Sequence, residues 1–255
     1  MAISQFFVEF IFYSFLGWIW ESIYCSAKEK KWADRGFLFG PICPIYGSCV
    51  VAASAAFSSI SFLSSPDFPI WGIFVVSYLA SAVAEFGTSW VLEKRFHARW
   101  WDYSKMPLNI QGRICVPVSI GFGLAGVAIV KYLIPFVNGM HAAINPLVYE
   151  VFALIFAILF GADFALTEAS LSALLTEVEK MHEEFNIRAQ ENYEKLASTK
   201  QLVVSYAEKL TLNQKRMLFR IRRFMPGKVR KHGKNLMNIV HITDALKDKI
   251  RELKG

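Results

Sequence analysis

Stretches of about 20 mostly apolar residues recur five times in the first two thirds of this chain, and each is long enough to cross a hydrocarbon core as an α-helix. They run approximately from Phe6 to Cys25, Pro41 to Leu63, Phe68 to Leu92, Arg113 to Phe136 and Pro146 to Ser170. Lipid offers no partner to an open N–H or C=O, so such stretches must close their hydrogen bonds internally, as helices do. The second stretch carries Pro41, Pro44 and Gly47 in its early half, which predicts irregular first turns covered by protein or water. With 54% hydrophobic and only 19% charged residues, the chain is too apolar for an ordinary soluble domain. The first stretch has no basic segment before it and no small-residue cleavage site after it, and is kept as a membrane span rather than a signal peptide.

Loop charge orients these spans. Lys28, Lys30, Lys31 and Arg35 crowd the first connection, and Lys94, Arg95, Arg99 and Lys105 the third. The second and fourth, around Ser64 to Pro69 and Asn138 to Asn145, have no basic residue. The alternation places the N-terminus outside and the end of the fifth span in the cytoplasm. Up to Ser170 the chain balances 10 Lys/Arg against 11 Asp/Glu, whereas from Leu171 onward 18 face 10, so the whole excess of +7 lies in the tail. The expected fold is all-α: a polytopic membrane bundle of about five transmembrane helices over residues 1–170, then a long cytoplasmic helical or coiled-coil tail over 171–255.

Apolar residues in the tail follow a 3.5-residue period through Leu171, Leu175, Val178, Phe185, Ala189, Leu196, Val203, Tyr206, Leu210 and Met217, interrupted by His182, Asn192, Thr199 and Asn213. Such a seam pairs either with a second copy, giving a homo-oligomer through the tail, or with the chain's own C-terminal helix after Pro226-Gly227. A basic stretch, Lys215, Arg216, Arg220, Arg222, Arg223, Lys228, Arg230 and Lys231, is interleaved with Met217, Leu218, Phe219, Ile221, Phe224 and Met225. This composition suits anionic lipids of the inner leaflet, and a solvated or partner-facing helix is the alternative. Nucleic acid is not the expected partner.

An ionisable group inside hydrocarbon costs several kcal/mol unless paired or wetted, so the charges within spans are where function is sought. Glu21, Glu85 and Asp163 fall in the inner parts of spans one, three and five, with Arg35, Asp102 and Arg113 nearby. These six form the candidate polar site, read either as fixed ion pairs or as a cavity for a proton, an ion or an anionic headgroup. Spans one and three each carry a Glu, and the segments that follow pair Arg35-Gly36 with Cys43-Pro44 and Gly112-Arg113 with Cys115 and Pro117, hinting at two parallel hairpins. Glu9 and Glu150 are expected in solvent near the outer surface. Cys25, Cys43, Cys49 and Cys115 show neither CxxC spacing nor ligand-like spacing with the histidines, so no metal and no cofactor are expected.

Gly17-Trp18 with Glu21, then Arg35-Gly36 and Gly40-Pro41-Ile42-Cys43-Pro44-Ile45-Tyr46-Gly47, make one recognisable string. Trp101-Asp102-Tyr103-Ser104, followed by Asn109 and Gly112-Arg113, makes a second. Together, over about Phe6 to Phe136, they resemble the CmpB-like, type IV group of bacterial ABC-transporter permeases. The resemblance implies a bacterial inner-membrane protein that takes part in transport. The chain has no GxxxxGK segment followed by Ser or Thr, so an ATPase would be a separate subunit. Three roles follow as expectations: a permease-like membrane subunit, a membrane-embedded enzyme acting on a lipid or prenyl-linked substrate, or a membrane anchor for the tail. No residue is assigned as catalytic.

Overall fold

The structure, a computed structural model, describes residues 2–30, 32–65, 67–141, 144–191, 196–225 and 236–253. Lys31, Asn192, Pro226-Gly227, Lys228, Arg230 and Lys231 lie outside the described residues, as do the side chains over 185–200 and 226–242. The fold is mostly helical. In chain order the helices are α1 (Ala2–Glu29), α2 (Pro44–Ser59), α3 (Ile70–Phe96), α4 (Val116–Ala128), α5 (Ile134–His141), α6 (Pro146–Glu191), α7 (Leu196–Lys209), α8 (Leu212–Arg220) and α9 (Leu236–Glu252). One turn of π-helix, Ile129–Leu133, joins α4 to α5 without a break. The strands are two-residue pairs: β1 (Ala98–Arg99) with β4 (Arg223–Phe224), and β2 (Asn109–Ile110) with β3 (Ile114–Cys115), both antiparallel.

Four segments are long and apolar enough to cross a membrane: Ile3–Glu29, Ile70–Phe96, Val116–Met140 and Pro146–Glu184. The expected second span is helical over the 16 residues of α2 alone, about 24 Å of rise. Pro44 sits in its first turn and Cys43 is its N-cap, so helix cannot extend back through Pro41, and at the far end Ile60 turns extended. The fourth begins at Val116 rather than Arg113, because Gln111 and Gly112 adopt positive φ.

The chain divides into two compact units, one of residues 1–90 and 102–164, the other of 91–101 and 165–255. In the first, α2 lies antiparallel on α1, and Tyr13, Val50, Ile134 and Val137 form a buried cluster. Phe160 of α6 packs edge-on against Phe7 and Phe10 of α1. Leu147, Val151, Leu154, Ile158 and Leu159 of α6 are exposed, as befits a helix solvated by lipid. Glu9 departs from its expected solvent position: it is 3% exposed and accepts a hydrogen bond from Gln5 Nε2 at 3.0 Å. It lies one turn before Tyr13, on the face of α1 that turns into the bundle.

In the second unit, Leu171, Leu174, Val178 and Met181 of α6, Leu202, Val203 and Tyr206 of α7, and Leu246 and Ile250 of α9 are all buried. The Tyr206 hydroxyl donates to Glu184 at 2.9 Å. A capping box opens α8: the Thr211 hydroxyl accepts from Gln214 N, and Gln214 returns the bond to Thr211 N. Of the two pairings open to the apolar seam, α7 packs on α9 of its own chain.

The apolar residues of the basic segment are taken up inside this unit. Met217, Leu218, Ile221 and Phe224 are all buried, and so is Arg220, at 5% exposure. The apolar residues between the charges face their own unit, where β4 pairs with β1 and Arg222 N and Met225 N bond Arg99 O and His97 O. Arg216 and Arg222 are exposed, with Lys215 and Arg223 half-buried. Lys247 donates to Ile221 O at 3.0 Å, and burial lowers its affinity for a proton.

Candidate functional site

The segment between α1 and α2 is shaped by its glycines and held by three polar anchors. Gly36 adopts φ +112°, a conformation that L side chains rarely take, beside Ile42 O and the Cys43 thiol. Asp163 of α6 accepts from the backbone N–H groups of Phe39 and Gly40, at 3.0 and 2.8 Å. A Cβ on Gly40 would stand 2.8 Å from that carboxylate. Cys43 N donates to Ser14 O at 2.9 Å. Arg35, 7% exposed, donates through Nη2 to Glu29 Oε1 at 2.5 Å.

The same region brings α2 unusually close to α1. A Cβ on Gly17 would come within 2.4 Å of Tyr46 Cβ, and one on Gly47 within 2.3 Å of Phe10 O. With both positions bare, the Tyr46 hydroxyl reaches Glu21 Oε2 and donates at 2.9 Å. The motif glycines thus serve the approach that delivers a phenol to a carboxylate in the membrane.

A second phenol comes from the loop between α3 and α4. Tyr103 N donates to Gly112 O at 2.8 Å, and the Asn109 side chain closes the loop by accepting from Gly112 N at 3.0 Å and donating to Met106 O at 2.8 Å. Gly112 needs its φ of +69° for that closure. The Tyr103 hydroxyl then donates to Glu85 Oε1 at 3.2 Å. Burial, followed by the charges of Glu85 and Glu21, raises the Tyr103 phenol well above its usual range, so it stays neutral and a donor. Glu85 is 6% exposed, and its Oε2 is buried without a hydrogen-bond partner among the described residues.

Glu21 and Glu85 therefore converge on one region, within electrostatic range of each other, with Tyr46, Tyr103 and the thiols of Cys43, Cys49 and Cys115 around them. All four cysteines are free. Arg35 acts on Glu21 at longer range while its closest contact is Glu29. The other candidates are placed differently. Asp163 anchors the backbone of the first linker, and Asp102 accepts from Ser104 N and the Ser104 hydroxyl in its own turn. Arg113, 5% exposed, donates to Ser89 Oγ and Gln111 Oε1, both at 3.3 Å, and lies over the Phe86 ring. Trp101 is half-buried and Pro41 exposed.

The family model described as Putative ABC-transporter type IV matches residues 8–168. The chain belongs to that family. No curated protein and no solved structure matches it. The match to the type IV family covers every candidate of the polar site, and it ends before the basic segment of the second unit. Together with four apolar helices of spanning length, it makes this a multi-pass membrane protein of the ABC-transporter kind.

Within the type IV match lies a correspondence that sequence reading missed. Arg99 is bonded to Glu93, six residues away, as Arg35 is to Glu29. Glu21, Glu29 and Arg35 thus recur at the same intervals as Glu85, Glu93 and Arg99. Arg99, and not Arg113, is the counterpart of Arg35. The signal was present as a repeated spacing of three charges, hidden because Arg113 lay beside a more conspicuous glycine.

Proposed function

We propose that this chain is the membrane subunit of an ABC-type transporter of the bacterial plasma membrane, and that Glu21, Tyr46, Tyr103 and Glu85 line its working site. The observation that carries the reading is the convergence of two carboxylates, each held by a phenol, inside a lipid-solvated bundle. A charge there is costly, and a bundle built only for stability would place apolar residues at these positions. In this reading α2 is a short fifth crossing, which keeps both basic connections and the second unit on the cytoplasmic side. The ATPase is another polypeptide. Exposed Arg216 and Arg222 offer it, or anionic headgroups, a positive surface. The alternative of an enzyme holding a lipid phosphate with arginine has less support, since Arg35 is already bonded to Glu29.

Two experiments test this. Purification from native membranes in mild detergent is expected to bring down a nucleotide-binding subunit, and repeated purification without one counts against the transporter. Labelling of Ser64→Cys by an impermeant thiol reagent, in a background lacking the native cysteines, is expected only from outside the cell. Labelling only from the cytoplasmic side would leave α2 as a helix that does not cross.

A further inference from the structure

We infer that Glu21 and Glu85 together hold one exchangeable positive charge, a proton or a sodium ion, a step that rests on reading their cluster as the transporter's working site. Glu21 has Tyr46 as donor and Glu85 has Tyr103, and both donors are neutral phenols. The Arg35 guanidinium, the cation that acts on Glu21, makes its closest contact with the third carboxylate, Glu29. From α2, Glu85 faces Cys49; from the loop before α4 it faces Tyr103, with Cys115 beside that phenol; from α1 it faces Glu21. The groups acting on Glu85 carry no positive charge, and the Arg113 guanidinium, from the same loop as Tyr103, donates to Ser89 Oγ one turn further along α3.

The independent sign is Glu85 Oε2, an oxygen of a side chain 6% exposed that has no partner among the described residues. A buried carboxylate oxygen left bare is costly, whereas a protonated oxygen or one bound to a small cation is not. Two carboxylates within electrostatic range of each other inside a membrane bundle repel, and a single small cation between them relieves both. A proton and a sodium ion offer the same remedy, one positive charge of small radius. Either can leave when the site opens, with no bond to carbon made or broken. An exchangeable charge would let the movement of an ion be linked to the transport step.

The test is infrared spectroscopy of the full chain in detergent at neutral pH, first in sodium-free buffer with choline as counter-cation. The carbonyl stretch of a protonated carboxyl group is expected there, lost in Glu85→Gln and altered in Tyr103→Phe, which removes the hydrogen bond and keeps the acid. Sodium chloride added to the wild type then separates the sources: bleaching of the band identifies sodium as an occupant, and an unchanged band identifies the proton. Absence of the band without sodium, with no rise in the thermal midpoint when sodium is added, overturns the inference. Should Glu85→Gln fail to fold, the change of the band in Tyr103→Phe decides alone. A band lost in Glu85→Gln while the complex keeps full ATP turnover would sink the working-site reading and leave the bound charge standing. Turnover lost with no band in the wild type would do the reverse.

Discussion

The α1–α2 hairpin and the α3–α4 hairpin carry the same charges in the same order, yet they are closed in different ways. The first helix of each hairpin has a glutamate bonded to a phenol, and eight residues later a second glutamate bonded to an arginine six residues beyond it. Each returning helix starts at a cysteine N-cap with a proline in its first turn. In the first hairpin the linker is held from a distance, by Asp163 of α6, and the helices touch through bare backbone at Gly47. In the second, the linker is held by its own Asn109, and the helices meet through the side chains Phe74 and Ser77 at Gly123 and Gly126. Charge register is thus common to both halves, while closure is a local solution in each.

The arginines test the common part. Removing one partner of a buried ion pair strands the other charge, a loss of about 3 kcal/mol or more. Arg35→Ala and Arg99→Ala are expected to lower stability in detergent by similar amounts, measured by thermal unfolding. A near-neutral Arg99→Ala beside a damaging Arg35→Ala would break the equivalence of the two halves.

The glycines test the part that differs. Overpacking costs about 1–3 kcal/mol, more where the obstacle cannot move. Gly47→Ala would meet Phe10 O, which is backbone, and Ser14→Ala is expected not to relieve it. Gly126→Ala would meet Ser77 Cβ and Oγ, and Ser77→Gly should recover most of the loss. Gly87→Ala, with nothing within 4 Å, serves as the control and should change little. Rescue of Gly47→Ala by Ser14→Ala would remove the distinction between backbone and side-chain contact.

The spans were legible because lipid permits so few backbone solutions, so length and hydropathy located α1, α3, α4 with α5, and α6. The shortened α2 was half legible: Pro41 and Pro44 announced the irregular start, and nothing in the apolar run from 41 to 63 announced the early end at Ser59. Convergence of Glu21 and Glu85 could be read from depth alone, since both lie near the same ends of parallel helices. What each carboxylate touches could not be, because Tyr46 and Tyr103 reach them through a tight helix contact and a folded loop. The packing of the basic tail was not legible for a related reason. Interleaved charge and apolarity has one pattern whether the apolar face meets lipid or a core, and Met217, Leu218, Ile221 and Phe224 meet a core.

The phenols differ less than the glycines. A hydrogen bond to a charged group contributes about 1.5–3 kcal/mol at most, and less if water replaces the donor. Tyr103→Phe leaves Glu85 without a hydrogen-bond donor among the described residues, whereas Tyr46→Phe leaves Glu21 under the attraction of Arg35. Tyr103→Phe is expected to be the more costly in thermal unfolding, and the opposite order would show that the two carboxylates have exchanged roles.

The linkers give the smallest effect and the sharpest distinction. Asp163→Asn keeps one carbonyl oxygen to accept from the amides of Phe39 and Gly40, so it should lose only the charge-assisted part of those bonds, about 1 kcal/mol. Asn109→Ala removes an acceptor and a donor from its loop at similar cost. Their consequences should separate in hydrogen exchange. Asp163 lies far along the chain from residues 39 and 40, so its loss should speed exchange there and leave the loop of Tyr103 unchanged. Asn109→Ala should loosen residues 103–113 alone and with them the bond from Tyr103 to Glu85. If Asp163→Asn also loosened 103–113, the two hairpins would share one closure, and the contrast between distant and local anchoring would not hold.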